Sequence, residues 1–168
     1  MMIRNATPAD LDAITTLHAA ARATYYRGHI PEDDFDGPIE HARVRGGWTR
    51  ALARGGGVLC AEAADGTLAG VAAFREVDGA LTLTQLHVAP EDWSRGIGTA
   101  LHTACVASWQ RSGVRAARLE VYEHNLRAQG FYARHGWRPD REAVRSGTHL
   151  VLWLDVRSAG EWAGHHTR

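Results

Sequence analysis

Hydrophobic positions along the chain change their spacing several times, and each change marks an element. Thr7-Pro8-Ala9-Asp10 reads as a helix start, with a capping hydroxyl, a proline suited to the first turn and a carboxylate near the positive end of the dipole. Leu11, Ile14, Leu17 and Ala21 follow at helical spacing and predict a first helix running to Arg22 or Thr24. Ile3 predicts a short strand before it. Gly28, Pro31, Gly37 and Pro38 then interrupt the pattern, and Glu32, Asp33, Asp34 and Asp36 make residues 28–38 an acidic loop. That loop reads either as a solvated connection or as a lid attracting a cationic substrate. A second helix is predicted over Ile39 to Ala53, ended by Gly55-Gly56-Gly57.

Beyond the triple glycine the pattern becomes that of strands. Val58 to Ala63, Leu68 to Val77 and Leu81 to Val88 are separated by the turn signals Asp65-Gly66 and Asp78-Gly79, which predicts three antiparallel strands in succession. In the third, Leu81 and Leu83 share one face while Leu86 and Val88 fall on the other, with Gln85 at the slip. Burial on both faces accounts for this, and so does a β-bulge near Gln85. From Gly96 the period is helical again, through Ile97, Leu101, Cys105 and Trp109 to Gly113. Ala117 to Val121 reads as a strand, Asn125 to His135 as a short helix closed by Gly136, and 137–142 with 148–156 as a final pair of strands. The order β-α-α-β-β-β-α-β-α-β-β predicts an α/β fold with a mixed central sheet. A right-handed crossover through the Gly96 helix makes its flanking strands parallel.

With 168 residues, 45% hydrophobic and 23% charged, the chain is sized for one soluble domain, expected over 1–157 with a frayed tail at 158–168. Nineteen basic and nineteen acidic residues cancel, which argues against a broad electrostatic grip on nucleic acid or an anionic membrane. Every basic residue is arginine, so lysine chemistry is excluded. Cys60 and Cys105 are too few for a disulfide framework and read as reduced core thiols. No signal-like segment opens the sequence, and no apolar stretch approaches the ~18 residues of a membrane span. A cytoplasmic protein without a metal site is expected.

The candidate chemistry lies in two clusters. Val88-Ala89-Pro90-Glu91-Asp92-Trp93-Ser94-Arg95-Gly96-Ile97-Gly98-Thr99 leaves a strand and enters a helix at two glycines. A helix amino terminus presents backbone N–H groups and partial positive charge, and glycines admit a phosphate close to the backbone. A tight turn without a ligand fits the same residues. The Walker pattern would need a lysine, and the dinucleotide fingerprint would need glycine where Leu101 stands. The second cluster is Leu119-Glu120-Val121-Tyr122-Glu123-His124-Asn125, continuing through Ala128, Phe131-Tyr132 and Gly136-Trp137.

Taken together, the two clusters resemble the GCN5-related N-acetyltransferase (GNAT) family, whose loop reads Gln/Arg-x-x-Gly-x-Gly/Ala and whose later segment carries Asn, Ala, Phe-Tyr and Gly-aromatic at this spacing. Trp93 departs from the pattern by occupying the Gln/Arg position. The resemblance implies acetyl-coenzyme A lying in an opening between two central strands, with a bulge near Gln85. It implies that Leu86 and Val88 pair with the pantetheine arm and that the Val88 N–H stabilises the oxyanion. Arg95, Gly96, Ile97, Gly98, Thr99 and Ala100 would hold the pyrophosphate. Asn125 would reach the pantetheine side, and Tyr132 would act as general acid toward the leaving thiolate while Phe131 packs the core. Members often use a glutamate base on the bulged strand. This chain offers His87 there, Glu120 on the next strand and His124 as a weaker candidate. A thiol nucleophile is disfavoured, although His102 stands on the same helix side as Cys105.

In such a fold the amino-terminal helices and the last strands would form the acceptor site. Trp48 reads as core. Tyr25 and Tyr26, with Asp33 and Asp34 beyond them, could hold a small cationic amine through cation–π and ionic contacts. The expected activity is therefore acetylation of a small-molecule primary amine by direct attack in a ternary complex. Acetylation of a protein amino terminus or lysine is the runner-up, and a non-catalytic acyl-coenzyme A sensor is a third reading. A homodimer is a further expectation from the family.

Overall fold

The computed structural model describes residues 1–157 and 159, so the expected tail at 158–168 lies, but for residue 159, outside the described residues. The chain forms two compact units, the first being Met1–Ala73 with Gln85–Ala104 and the second Phe74–Thr84 with the chain from Cys105 onward. No helix among the described residues is long and apolar enough to cross a membrane.

In the first unit, β1 (Met2–Asn5) pairs antiparallel with β2 (Val58–Glu62), from Met2↔Glu62 to Asn5↔Leu59. β2 pairs antiparallel with β3 (Leu68–Val77), and the register shifts between Ala61 and Glu62. β4 (Ala80–Val88) follows β3 in the hydrogen-bonded order. Helix α1 (Leu11–Tyr26) is preceded by a 3-10 turn at Pro8–Asp10, where Thr7 and Asp10 form a reciprocal capping box. The helix continues past the expected Thr24 to Tyr26. A short helix α2 (Asp33–Asp36) stands in the segment expected to be loop, and α3 (Pro38–Ala53) starts one residue earlier than expected.

Ile14 and Leu17 of α1 and Trp48 and Leu52 of α3 meet Val58, Cys60, Val71 and Ala73 in one apolar core, which is what the apolar stripe of each helix is for. Gly70 sits where α4 (Ile97–Arg111) is seated. A Cβ there would stand 2.7 Å from Leu101 Cδ1 and 3.1 Å from the His87 carbonyl oxygen, so only glycine permits this approach.

In the second unit, the beginning of β4 pairs parallel with β5 (Ala116–Tyr122) through Leu81↔Ala117 and Thr82↔Arg118, as the crossover rule requires. No β4–β5 pairs beyond these two occur among the described residues. On its other side β5 pairs antiparallel along its whole length with β8 (His149–Asp155), which in turn carries β6 (Arg138–Pro139) and β7 (Arg145–Ser146). β7 was not expected from the sequence, being only two residues long. Helix α5 (Leu126–Arg134) completes this unit, where Trp109 and Trp137 meet edge to face.

Burial along β4 covers both faces at Thr82 and Leu83 and then favours the face of His87. Thr82, Leu83 and His87 are buried, whereas Leu86 and Val88 are half-buried. A histidine thus takes the inward place that the hydrophobic pattern assigned to leucine and valine.

Candidate functional site

The strand-to-helix turn is built by a short series of local bonds. After Val88 the chain makes a 3-10 turn at Pro90–Asp92, with the Asp92 N–H donating to the Ala89 carbonyl at 2.8 Å. The Trp93 indole N–H then reaches back to the Val88 carbonyl at 3.1 Å, while the Ala89 N–H donates to Ala69 on β3 at 2.9 Å. One peptide unit, Val88–Ala89, is therefore held at both ends. Ser94 (φ 63°) and Gly96 (φ 79°) adopt left-handed backbone, and Ser94, Arg95 and Gly96 are exposed. Nothing lies within 4 Å of the position a Cβ would take on Gly96.

The Ala100 N–H donates to the Gly96 carbonyl at 3.0 Å, so Ile97, Gly98 and Thr99 precede the first i→i−4 bond of α4. Ile97 is buried and anchors the turn, and Arg95 pairs with Asp92 at 3.2 Å. Open space over a glycine, at the positive end of a fifteen-residue helix, fits a diphosphate.

A buried polar cluster occupies the same unit. His87 is 8% exposed, and its Nε2 lies 2.6 Å from Gln85 Oε1. An amide oxygen only accepts, so Nε2 carries the proton and Nδ1 the lone pair. The imidazole of His18, from α1, stacks on His87 at 4.3 Å between centroids with a 22° interplanar angle. Trp48 Nε1 donates to His18 Nδ1 at 2.9 Å, which fixes the second tautomer. Burial draws the His18 pKa down to about 4, and His87 is likewise lowered well below 6.5, by burial first and then by His18 and Arg22. Both rings are neutral at pH 7. His18 was not among the sequence candidates. The signal available was its place in the inward stripe Ile14, Leu17, His18, Ala21, Arg22, where polar residues interrupt an apolar face.

The expected substrate residues are rearranged by this cluster. The face of Tyr26 already holds a cation of the protein, the Arg22 guanidinium, 5.3 Å from the ring centroid. Tyr25 packs 4.7 Å from Tyr26, and burial raises the pKa of its hydroxyl. Asp33 and Asp34 are exposed, while neighbouring Glu32 and Asp36 pair with Arg27, and Asp36 also contacts His41. The acidic segment is thus partly neutralised from within.

The second unit carries the remaining candidates. Tyr132 is buried, its ring 5.5 Å from Phe131 and 5.9 Å from Trp137, whereas Phe131 is half-buried and stacks on His135. The packing role expected for Phe131 is thus shared with Tyr132. Asn125 caps α5 through an Oδ1 that accepts from the Ala128 N–H at 3.2 Å. Glu120 is exposed and pairs with Arg118 at 3.2 Å. His124 packs against Tyr122, with 5.4 Å between ring centroids. Cys60 and Cys105 are both fully buried, and burial pushes each thiol up to about 12, which removes the thiolate that covalent catalysis requires.

Comparison with known proteins shows the family and the fold. The model of the acetyltransferase (GNAT) family matches residues 16–137. No match is found among curated proteins. Among solved structures, the PaiA N-acetyltransferase of Thermoplasma acidophilum, in complex with coenzyme A, is similar with a TM-score of 0.81 and 20% identity over 92% of this chain and 98% of that one. The ribosomal-protein-S18-alanine N-acetyltransferase of Escherichia coli gives 0.68 and 17% over 92% and 93% of the two chains. A nourseothricin acetyltransferase gives 0.52 and 25% over 59% and 64%.

Proposed function

Because this chain belongs to the acetyltransferase (GNAT) family, we propose that it transfers an acetyl group from acetyl-coenzyme A to the primary amine of a small molecule, by direct attack while both substrates are bound. The observation that carries the acceptor size is the 8% exposure of His87. A base this enclosed suits an amine that enters a confined site, whereas a polypeptide acceptor needs an open groove. The fold does not choose between these acceptors, since one structural neighbour is named for a ribosomal protein and another for nourseothricin.

The residues divide the work as follows. The backbone from Arg95 to Ala100, with the open approach over Gly96, holds the diphosphate. Leu86 and Val88 pair with the pantetheine arm through their backbone, and the Val88 N–H faces the thioester carbonyl, whose developing charge it stabilises. Asn125 borders the pantetheine from the start of α5. A typical primary amine has a pKa near ~10, so about one molecule in a thousand is neutral at pH 7 and a base speeds the reaction. His87 is that base: its Nδ1 lone pair accepts the proton, directly or through water, and only transiently, because burial holds its pKa well below 6.5, while Gln85 and His18 hold the ring. The exposed, arginine-paired Glu120 is less suited. Tyr132 gives its proton to the departing thiolate.

Release of coenzyme A across a panel of free amines and peptides tests this reading. Turnover with small amines supports it. Turnover of peptides with none of the free amines favours the protein-acceptor alternative, and cofactor binding without release by any amine indicates a sensor.

A further inference from the structure

Arg22 presents a buried charge with too few partners. Its side chain is 8% exposed, and its one hydrogen bond to a described residue runs from Nη1 to Glu40 Oε1 at 2.8 Å. Nε is fully buried and has no partner among the described residues, although a desolvated guanidinium ordinarily satisfies its donors. Glu40 does not balance the local charge alone, because Arg43 also bonds it, so two guanidiniums share one carboxylate. The tautomers of His18 and His87 leave both rings neutral, and nothing in the cluster supplies a second negative charge to Arg22.

The position of this cation gives it meaning. Arg22 lies one helical turn after His18 on the inward face of α1, and residues so spaced stand ~5–6 Å apart at Cβ. His18 stacks directly on His87. The ring of Tyr26, expected to receive a substrate cation, covers the flat side of Arg22 and leaves the guanidinium edge as the unsatisfied feature. A planar fork whose Nε and Nη2 make no hydrogen bond to a described residue matches the two oxygens of a carboxylate.

We infer that Arg22 forms a carboxylate subsite for the acceptor, so that the favoured substrates are amino acids or related amines bearing a carboxylate near the reacting nitrogen. This inference rests on the proposed transferase activity and narrows its substrate class. It replaces the expected cation-binding set of Tyr25, Tyr26, Asp33 and Asp34 with an anion site one helical turn from His18, which stacks on His87. The bound carboxylate satisfies the open guanidinium edge and holds the amine toward His18 and the His87 ring stacked on it.

Matched acceptors test the subsite: L-phenylalanine against phenethylamine, and L-glutamate against 4-aminobutyrate and a polyamine. The α-amino acid is expected to exceed its decarboxylated partner at least tenfold in kcat/KM, mainly through KM. Arg22→Met, and the double variant Arg22→Met with Glu40→Gln that leaves no unpaired carboxylate, should bring that ratio near unity. A ratio is insensitive to the fraction of correctly folded enzyme. Preference for the decarboxylated amines or the polyamine overturns the inference while sparing the transferase reading, and so does an unchanged ratio in both variants. Calorimetry with N-acetyl-L-phenylalanine reads the subsite without turnover. Binding by the wild type that both variants lose supports it, and no binding by the wild type overturns it. Binding without acetylation of any amine would instead refute the transferase reading.

Discussion

Replacing Trp93 by phenylalanine removes a bond whose role follows from the turn around it. The ring volume is largely kept, and so are the Asp92-to-Ala89 and Trp93-to-Pro90 backbone bonds and the Ala89 bond to β3. What disappears is the indole N–H at 3.1 Å from the Val88 carbonyl. A neutral hydrogen bond of this kind contributes about 0.5–1.5 kcal/mol net, or roughly 2- to 12-fold in an equilibrium or rate. The bond ties the end of β4, proposed to hold the thioester, to the loop proposed to hold the diphosphate. Its loss should therefore weaken a donor that spans both places more than a donor that occupies only one. The assay compares acetyl-coenzyme A with S-acetyl-N-acetylcysteamine, a thioester without the diphosphate. The advantage in kcat/KM of the full cofactor over the truncated one should shrink by roughly 2- to 12-fold, and Trp93→Arg, which restores an N–H donor and the residue type common in the family, should recover part of it. An unchanged advantage in Trp93→Phe, or a loss confined to the truncated thioester, would refute the reasoning.

Other outcomes follow from the same geometry. Tyr132→Phe removes the proposed acid and keeps the ring that packs against Trp137, so turnover should fall at least tenfold with little change in acetyl-coenzyme A affinity, and unchanged turnover would remove Tyr132 from the mechanism. His18, with its folded pKa near 4, and His87, whose pKa burial also lowers, bind fewer protons folded than unfolded once the pH drops below about 6.5. Their stabilisation is complete above that pH and is lost on acidification, for His18 toward about 4, at up to ~1.4 kcal/mol per pH unit for each histidine. Urea midpoints at pH 7.5, 6.0 and 5.0 should decline accordingly, and a flat series would contradict the neutral pair. Gly70→Ala forces a Cβ to 2.7 Å from Leu101 and 3.1 Å from the backbone of His87, an overpacking worth about 1–3 kcal/mol, and thermal melting should drop by several degrees. An unshifted melting temperature would mean that α4 is not seated as tightly as the distances indicate.

Most elements were legible because they obey local rules. Capping at Thr7, the Asp-Gly turns and the switch of period at Gly96 each act through neighbours in sequence, and the structure places helices and strands where those signals stand. α2 and β7 escaped because four residues and two residues are too few to show a period, and their formation depends on packing of Phe35 and on pairing with β8. The two loop-and-helix clusters could be read as a pair because family spacing is a property of the sequence. The polar cluster could not. His18, Trp48, His87 and Gln85 come from three separate elements, and their hydrogen bonds and ring stacking exist only after α1 and α3 have closed over β4. Tyr26 illustrates the same limit: the sequence points to its ring as a place for a substrate cation, and in the structure the cation over that ring is Arg22, four residues away on the same helix.

The burial of both sulfurs has a practical corollary. Ellman-type dyes and alkylating agents act on accessible thiolates, and neither Cys60 nor Cys105 offers one in the native protein. Chromogenic thiol detection during turnover will accordingly register product alone, and mild oxidants should leave the catalyst intact while consuming the coenzyme it releases.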